Sequence, residues 1–332
     1  MTIRGNRTPL PAAATVFAMF ATLGTLAPLS GFAQTFPWRP IRVVVPYPPG
    51  GANDTVMRLL SPGLTELLGQ QVVIDNRGGG NTIIGSELVA RAAPDGHTLL
   101  MIAAGHAINP SLYPKLPYDT ARDFTPVVLI GDGAYVLVAH PSSGISSVPE
   151  LIAAAKAKPG QVAYASSSIG NFTHLAAELF SSMAGVKMLH VPYKGGGPAM
   201  LDLLAGRVAI FFSTVAVARP HIQSNRIKAL GVTTPKRSVA LPEVPTIAEA
   251  GLPGYAASGW YGLVAPTGTP RAAIEKVNGA VRTVIRPAEM KEKLAGVGVE
   301  AADATPAQFG ELILTDMAKW DKIVRPLKIT PE

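Results

Sequence analysis

Short apolar runs and longer amphipathic segments alternate along most of the chain. The runs at 41–46, 72–74 and 98–103 are rich in Val, Ile and Leu, which predicts buried strands. Between the first two runs, apolar residues recur every three or four positions, which predicts a helix from about residue 54 to Gly69. Strand, helix and strand in this order predict an α/β sheet whose parallel strands are joined by right-handed crossovers.

The same alternation continues to the C-terminus. A long apolar run at 126–139 predicts one extended strand. Pro62 interrupts the first helical pattern, and we expect it to kink that helix or divide it into two pieces. Further strands are predicted at 162–165, 189–192, 208–212, 227–233 and 260–265, and further helices at 149–157, 172–183, 271–285, 288–294 and 307–324.

The order of these elements predicts two α/β lobes. The strands at 126–139 and 260–265 are placed to cross from one lobe to the other. We therefore expect residues 34–134 to form the first part of lobe 1, residues 135–260 to form lobe 2, and residues 261–332 to return to lobe 1. Two lobes joined by two crossings enclose a cleft, where ligands collect at the carboxyl ends of strands.

Residues 1–33 have the pattern of a cleavable signal peptide. Arg4 and Arg7 precede a largely apolar stretch at 12–29, and small residues follow, with Gly31 and Ala33 at positions −3 and −1. The alternative is a membrane anchor. Polar residues and a proline interrupt the apolar stretch, so it falls short of the roughly 20 uninterrupted apolar residues that a spanning helix needs. We expect an exported, soluble mature protein.

Composition excludes several classes of function. The chain has 332 residues, of which 48% are hydrophobic and 15% charged, and it contains no cysteine. Disulfides, thiolate catalysis and cysteine metal sites are therefore excluded. Loss of Arg4 and Arg7 with the leader would lower the formal net charge from +7 to +5. Basic residues are spread out, without interleaved aromatics, which favours weak attraction of anions and no nucleic-acid partner.

The segment "PYPPGGANDTVMRLL", which begins at Pro46, has the chemistry of an anion-binding corner. The N-terminus of a helix presents unpaired N–H groups and a partial positive charge. Gly50 and Gly51 carry no side chain that would keep a ligand away from these groups. Asn53 or Asp54 can cap the helix. The alternative is an ordinary tight turn with a good cap.

The segment "SSSIGN", residues 166–171, offers a similar corner in the second lobe. Its three serine hydroxyls can donate hydrogen bonds to a carboxylate, and a helix follows at once. His174 falls off the apolar stripe of that helix and close to the loop, where it can orient the loop by hydrogen bonding. The alternative is a solvated serine-rich loop.

No catalytic or cofactor motif is complete. The six histidines lack the paired spacing of a zinc site, and residues 166–170 do not match GxSxG. The glycines at 78–80 do not form GxGxxG, and those at 195–197 lack the GK[ST] of a P-loop. We interpret both glycine groups as close-packing turns. The sequence therefore predicts no enzyme activity, no metal and no cofactor.

Several long segments resemble one family in combination. They are "PYPPGGANDTVMRLL", "NRGGGNTIIGSELVARAAPDGHTLLM", "HVPYKGGGPAMLDLLAGRV", "RIKALGVTT" and "GWYGLVAPTGTP". They resemble the substrate-binding proteins of tripartite tricarboxylate transporters, the Bug-type periplasmic receptors. The resemblance implies a type II, two-lobed Venus-flytrap periplasmic binding protein with its ligand in the interdomain cleft. It also implies a bacterial periplasmic location, a monomer, and a membrane permease partner with a large and a small subunit.

The resemblance further implies which residues hold a small carboxylate. In the first turn and near the third strand these are Tyr47, Gly50, Gly51, Asp54 and Ala104, with Gly105 beside them. In the second lobe they are Ser166, Ser167, Gly170, Asn171, His174, Tyr193 and the Phe212–Ser213 corner. Ser168 replaces a frequent glycine and Ser213 a frequent acidic residue, which favours a dicarboxylate or an aromatic carboxylate over an amino acid. Two alternatives remain: a periplasmic input for a signalling receptor, and a secreted hydrolase that uses Ser167 and His174.

Overall fold

The computed structural model describes residues 1–3, 5, 35–327 and 329. All but a few residues of the predicted signal peptide, and its cleavage site, lie outside this part of the chain. No helix of the described residues is long and apolar enough to span a bilayer. Thr35–Glu332 form one compact unit, which holds the strands and helices given below.

Eleven strands and ten α-helices are found in residues 35–327. The strands are β1 (Ile41–Val45), β2 (Val72–Asn76), β3 (Thr98–Ala103), β4 (Phe124–Gly133), β5 (Tyr135–Ala139), β6 (Ala163–Ser166), β7 (Leu189–Pro192), β8 (Ile210–Thr214), β9 (Lys228–Val232), β10 (Gly259–Pro266) and β11 (Val299–Ala301). The helices are α1 (Ala52–Leu68), α2 (Ile83–Ala90), α3 (Gly105–Leu112), α4 (Val148–Ala157), α5 (Phe172–Ala184), α6 (Gly196–Leu204), α7 (Val215–Gln223), α8 (Arg271–Ile285), α9 (Ala288–Gly296) and α10 (Pro306–Leu327).

The strands form two mixed sheets. The six-stranded sheet has the order β11–β4–β10–β3–β1–β2, and the five-stranded sheet has the order β7–β6–β8–β5–β9. β1 pairs in parallel with β2 and β3, and β6 pairs in parallel with β7 and β8. Helices connect these parallel neighbours, as such connections require. The carboxyl ends of each parallel set therefore lie at one edge of their sheet.

The apolar run predicted as one strand at 126–139 is two strands in different sheets. β4 ends at Gly133, and β5 begins at Tyr135. Gly131 and Gly133 pack closely against neighbouring strands: a Cβ at Gly133 would lie 2.5 Å from the ring of Tyr261. Periodicity cannot reveal this change of sheet, because both halves are equally apolar. The chain returns between β9 and β10, and β10 already includes Gly259 and Trp260, which the sequence places in lobe 2. The lobe boundaries at 134 and 260 stay a prediction.

Pro62 does not divide the first helix, because α1 runs unbroken from Ala52 to Leu68. The prediction of two pieces is wrong for a packing reason. Leu60 and Leu64, on either side of the proline, are both buried in the core. A Cβ at Gly63 would lie 3.0 Å from Val284 of α8, so the two helices pack closely at this point. Tertiary packing thus outweighs the loss of one helical hydrogen bond.

One hydrophobic cluster joins the two sheets. It contains Leu100 of the six-stranded sheet and Phe212 of the five-stranded sheet. Trp320 of α10 packs edge-on against Phe172 of α5, with 5.6 Å between the ring centroids. Buried aromatic contacts of this kind fix the orientation of neighbouring elements. The C-terminal helix therefore contacts the start of α5, where the second predicted corner lies.

Candidate ligand-binding site

A cavity of about 620 Å³ lies among loops that follow strands of both sheets. From the six-stranded sheet, residues 46–53 follow β1 and residues 78–82 follow β2. From the five-stranded sheet, residues 167–173 follow β6 and residues 193–198 follow β7. The cavity is thus located at the carboxyl ends of parallel strands, where α/β proteins bind their ligands.

The first turn presents the N-terminus of α1 to the cavity. Gly51 is the N-cap residue, and no side chain caps the helix. The first helical hydrogen bond runs from the Thr55 N–H to the Gly51 carbonyl, at 2.9 Å. Within residues 35–327, no acceptor lies within hydrogen-bond distance of the N–H groups of Ala52 and Asn53, which both line the cavity. These amides and the partial charge of the helix can attract an anion.

Asp54 holds this turn from behind. Its carboxylate accepts a hydrogen bond from the Gly50 N–H at 2.9 Å and from Arg58 Nε at 2.8 Å. Burial raises the pKa of the Asp54 carboxyl, but the hydrogen bonds from Arg58, Gly50 and Asn76 outweigh burial and lower its pKa below the usual range. The expectation that Gly50 offers a bare amide is therefore wrong, because an ionised side chain of the same turn already occupies it.

Asn171 organises the second turn. Its side-chain oxygen accepts hydrogen bonds from the N–H groups of Thr173, at 2.9 Å, and His174, at 3.3 Å, and so caps α5. Its amide nitrogen donates to the Ser167 hydroxyl oxygen. The Ser167 N–H donates to Thr173 Oγ1 at 2.9 Å. The loop thus has a fixed shape in which Ser167, Ser168 and Asn171 face the cavity.

Two histidines support this turn, of which His174 is buried and His190 is half-buried. Nδ1 of His174 accepts a hydrogen bond from the Gly170 N–H at 2.9 Å, so Gly170 does not offer a bare amide either. The rings of His174 and His190 stack at 3.8 Å, and His190 Nε2 lies 2.6 Å from Ser166 Oγ. Burial lowers the pKa of His174 to about 3, with a contribution from His190, and burial lowers the pKa of His190 to about 4. Both rings are neutral at pH 7.

The structure brings together five of the residues expected to bind the ligand. Those that line the cavity are Tyr47, Gly51, Ser167, Asn171 and Tyr193. The others do not line the cavity: Gly50, Asp54, Ala104, Ser166, Gly170, His174 and Ser213. Residues adjacent to some of these line the cavity instead, such as Gly105 beside Ala104, Asn53 beside Asp54 and Thr214 beside Ser213. Binding by any of these residues remains a prediction.

Sequence reasoning missed the two glycine loops, which were interpreted only as packing turns. Residues 78–82 and 194–198 both line the cavity. They also pack closely: a Cβ at Gly78 would lie 3.2 Å from the backbone nitrogen of Pro48, and one at Gly195 would lie 3.2 Å from Cγ of Pro48. Both loops follow parallel strands, and this position in the fold was the signal that could have identified them.

Asn109 holds the first glycine loop in a strained conformation. Asn81 and Thr82 have φ angles of 51° and 76°, which residues with side chains rarely adopt. The buried Asn109 amide nitrogen donates to the Asn81 carbonyl at 3.0 Å and to Thr82 Oγ1 at 3.2 Å. Strained backbone of this kind concentrates at functional sites. Asn53 also escaped sequence reasoning as a wall residue; its Nδ2 is buried without a partner in the described structure.

The chemistry of the cavity is suited to binding. Within the described residues, no group of three or more His, Asp or Glu side chains could hold a metal ion. The Ser167 hydroxyl contacts Asn171 and Thr173, while Nδ1 of His174 is already bonded to the Gly170 N–H. A nucleophilic serine needs a base within hydrogen-bond reach. The arrangement therefore gives no support to the alternative hydrolase.

Comparisons with known proteins identify the family of the chain. A family model described as "Tripartite tricarboxylate transporter family receptor" matches residues 56–329. Protein BugT of Bordetella pertussis is 39% identical over 322 residues, covering 96% of this chain and 98% of BugT.

Two solved structures extend the likeness to three dimensions. "R. palustris Rpa4515 with adipate" is 36% identical, with a TM-score of 0.86, and the match covers 90% of this chain and all 100% of the other. "MatC (Rpa3494) from Rhodopseudomonas palustris with bound malate" is 31% identical, with a TM-score of 0.81, and covers 87% of this chain and 100% of MatC. These matches confirm the two-lobed type II periplasmic-binding-protein fold and the family resemblance. The chain belongs to the tripartite tricarboxylate transporter receptor family as a Bug-type solute receptor, and it is not an enzyme.

Proposed function

We propose that this protein is a periplasmic receptor that captures a small carboxylate for a tripartite tricarboxylate-type transporter. The observation that carries the proposal is the uncapped N-terminus of α1, whose first residues, Ala52 and Asn53, line the same cavity as Ser167 and Ser168 of the serine loop. Helix N-termini bind carboxylates through such amides. Closure of the two lobes around the ligand would give the loaded form that a partner recognises.

The proposed ligand is a dicarboxylate or an aromatic carboxylate. The descriptions of two solved relatives name adipate and bound malate. Among the described residues that line the cavity, none is Asp or Glu, so no acidic side chain is present to pair with an amino group. A volume of about 620 Å³ lies within the range of small-molecule sites, which is about 300–1,000 Å³.

The proposed partner is a two-component membrane permease with a large and a small subunit, reached after export by the signal peptide. Membership of the receptor family supports this partnership. The basic and apolar character of residues 1–33 supports export to the periplasm. N-terminal sequencing of the protein secreted by its host would test cleavage; we expect the mature chain to begin at Gln34.

Calorimetric titration of the mature protein tests the binding function. The panel would contain dicarboxylates, aromatic carboxylates and amino acids. We expect saturable binding of one carboxylate per chain, with a rise in melting temperature because a ligand that binds only the folded state stabilises it. Tight binding of amino acids alone would contradict the proposed ligand class. Asn53→Leu keeps the backbone N–H but removes the buried side-chain amide, whose Nδ2 has no partner in the described structure, so it should weaken binding without unfolding the protein. Asn225→Leu, on an exposed turn with a φ of 56°, should cost some stability but leave binding unchanged.

A further inference from the structure

Lys194 differs from every other residue of the cavity wall. Of the described residues that line the cavity, it alone carries a charge. It lies between β7 and α6, immediately before Gly195, the N-cap of α6. Its side chain is exposed, and no acidic residue of the described structure forms an ion pair with it. The nearby carboxylate of Asp202 is instead bonded to Tyr193 and Arg207.

The backbone on both sides of Lys194 is fixed to the serine loop. The Tyr193 N–H donates to the Ser166 carbonyl at 3.0 Å, and the Gly195 N–H donates to the Ser167 carbonyl at 2.8 Å. The lysine therefore lies directly alongside the second predicted corner. Its flexible side chain can follow a ligand, while its backbone position is set by the sheet.

Lys194 is also close to the turn of the first lobe. Gly195 approaches the ring of Pro48 so closely that a Cβ on the glycine would lie 3.2 Å from Cγ of Pro48. Loops from the two sheets therefore meet beside the lysine. Gly195 and Gly196 start α6 without a side-chain cap, so the positive end of a second helix is directed to the same place.

The electrostatic consequence depends on the charge of the ligand. The neutral donors of the two turns can satisfy one carboxylate group. An unpaired lysine at the wall of a cavity without acidic side chains favours a second negative charge on the ligand. A ligand with a single carboxylate would leave that ammonium group without a partner.

We propose that Lys194 is the specificity-determining residue that selects ligands with two carboxylates over those with one, by pairing with the second carboxylate. This inference rests on the proposed function and deepens it. A hydrogen bond between charged groups is stronger than one between neutral groups, so the lysine should contribute a substantial part of the affinity for a dicarboxylate and little of the affinity for a monocarboxylate.

The test compares Lys194→Gln with the wild type, using dicarboxylates from succinate to adipate and monocarboxylates from butyrate to hexanoate. For the dicarboxylate that wild type binds most tightly, we expect Lys194→Gln to raise Kd roughly tenfold to a hundredfold. For the monocarboxylate of equal length, Kd should change less than about threefold. Lys194→Arg should retain most of the preference, and raised salt should reduce it.

Lys187→Gln is the matched control, because it removes the same charge from an exposed position off the cavity. It should leave both affinities unchanged. An equal loss for both ligand types in Lys194→Gln, or no loss for either, would overturn the assignment of Lys194 while leaving the receptor function standing. A wild-type protein that binds none of these dicarboxylates would overturn the assignment of Lys194, and one that also binds no aromatic carboxylate would overturn the receptor function as well.

Discussion

Asp54 and His174 stabilise the two turns of the cavity from behind. Each accepts a hydrogen bond from the glycine N–H four residues before it, Gly50 and Gly170. Both side chains are buried, and the bond between Gly170 and His174 is shielded from water. The turns therefore have a defined shape before any ligand arrives, which reduces the entropy lost on binding. The amides left for a ligand are those of Ala52 and Asn53.

Replacement of Asp54 tests this support. Asp54→Asn keeps the shape of the side chain. It removes the negative charge of the carboxylate, which accepts hydrogen bonds from the Gly50 N–H and from Arg58 Nε. We expect the free energy of unfolding to fall by about 1–3 kcal/mol, measured by urea denaturation. Asp321→Asn is the control, because Asp321 pairs with Arg325 at the same i,i+4 spacing on the surface. It should cost less than about 0.5 kcal/mol. Equal effects of the two substitutions would show that Asp54 has no special role.

The stacked histidines His174 and His190 predict a pH dependence of stability. The folded protein holds His174 and His190 neutral, with pKa values lowered to about 3 and about 4. In the unfolded chain they titrate near 6.5, so below that pH the unfolded state binds more protons. This contribution to stability is complete above pH 6.5 and is lost progressively as pH falls towards the folded values. The free energy of unfolding should therefore decrease between pH 6.5 and pH 4.

His174→Gln provides the comparison for this prediction. Glutamine cannot titrate, and its side-chain oxygen can accept from the Gly170 N–H in place of the ring nitrogen. Near pH 5 the variant should lose stability less steeply than wild type, by about 1 kcal/mol per pH unit, as expected for one proton. Parallel stability curves for the two proteins would contradict the neutral histidine in the native state.

At the scale of elements, three loops converge on one proline. Pro48 of the first turn lies between the backbones of Gly78 and Gly195, which belong to loops from different sheets. Such close approach requires residues without side chains. Gly195 also has a φ of 121°, a conformation that other residues adopt only under strain. The glycines therefore form the cavity wall and its packing at the same time.

Gly195→Ala should disturb this convergence. The added Cβ would be strained by the φ angle and would press on Pro48. We expect a loss of stability of about 1–3 kcal/mol in urea denaturation and weaker ligand binding. Gly197→Ala is the control, because it lies in α6 with open space around its Cβ position. It should be neutral or stabilise the helix by about 0.5–1 kcal/mol. A Gly195→Ala protein as stable as wild type would contradict the packing described here.

The sequence predicts elements better than it predicts contacts. The β-branched runs at β1 and β3 and the apolar stripe of α5 have strong periodicity, and the structure confirms strands and a helix there. Helix α3 was missed, because Pro110 lies inside it and its pattern is short. The supporting role of Asn109 depends on hydrogen bonds to Asn81 and Thr82, which are distant in sequence. Periodicity carries no information about such bonds. The sequence therefore could not distinguish the residues that line the cavity from those that support its turns.

At the scale of the whole molecule, Ala134 links the two sheets. Its N–H donates to the Gly298 carbonyl beside the six-stranded sheet at 2.8 Å, and its carbonyl accepts from the Val215 N–H of α7 at 3.3 Å. Gly298 has a φ of 78°, and a Cβ there would overlap the side chain of Val215. We propose this junction as the place where the lobes move relative to one another when the ligand binds.

Gly298→Ala tests the junction. We expect the alanine to push α7 away, lower stability and weaken ligand affinity by roughly tenfold, because the closed arrangement would be disfavoured. Gly160→Ala is the control: its φ is 74°, nearly that of Gly298, but its Cβ position is open. It should cost about 1 kcal/mol from backbone strain and leave ligand affinity unchanged. Calorimetry and urea denaturation of both variants separate the two effects, and unchanged affinity in Gly298→Ala would argue against the junction.

The most direct test of the receptor mechanism is a crystal structure of the mature protein with the dicarboxylate that it binds most tightly. We expect the ligand to be chemically unchanged and to lie between the two sheets. One carboxylate should lie within about 3.2 Å of an Ala52 or Asn53 N–H, in hydrogen-bonding contact, and the ligand should also contact the 167–171 loop. A ligand bound elsewhere, or held without contact to either turn, would contradict the account.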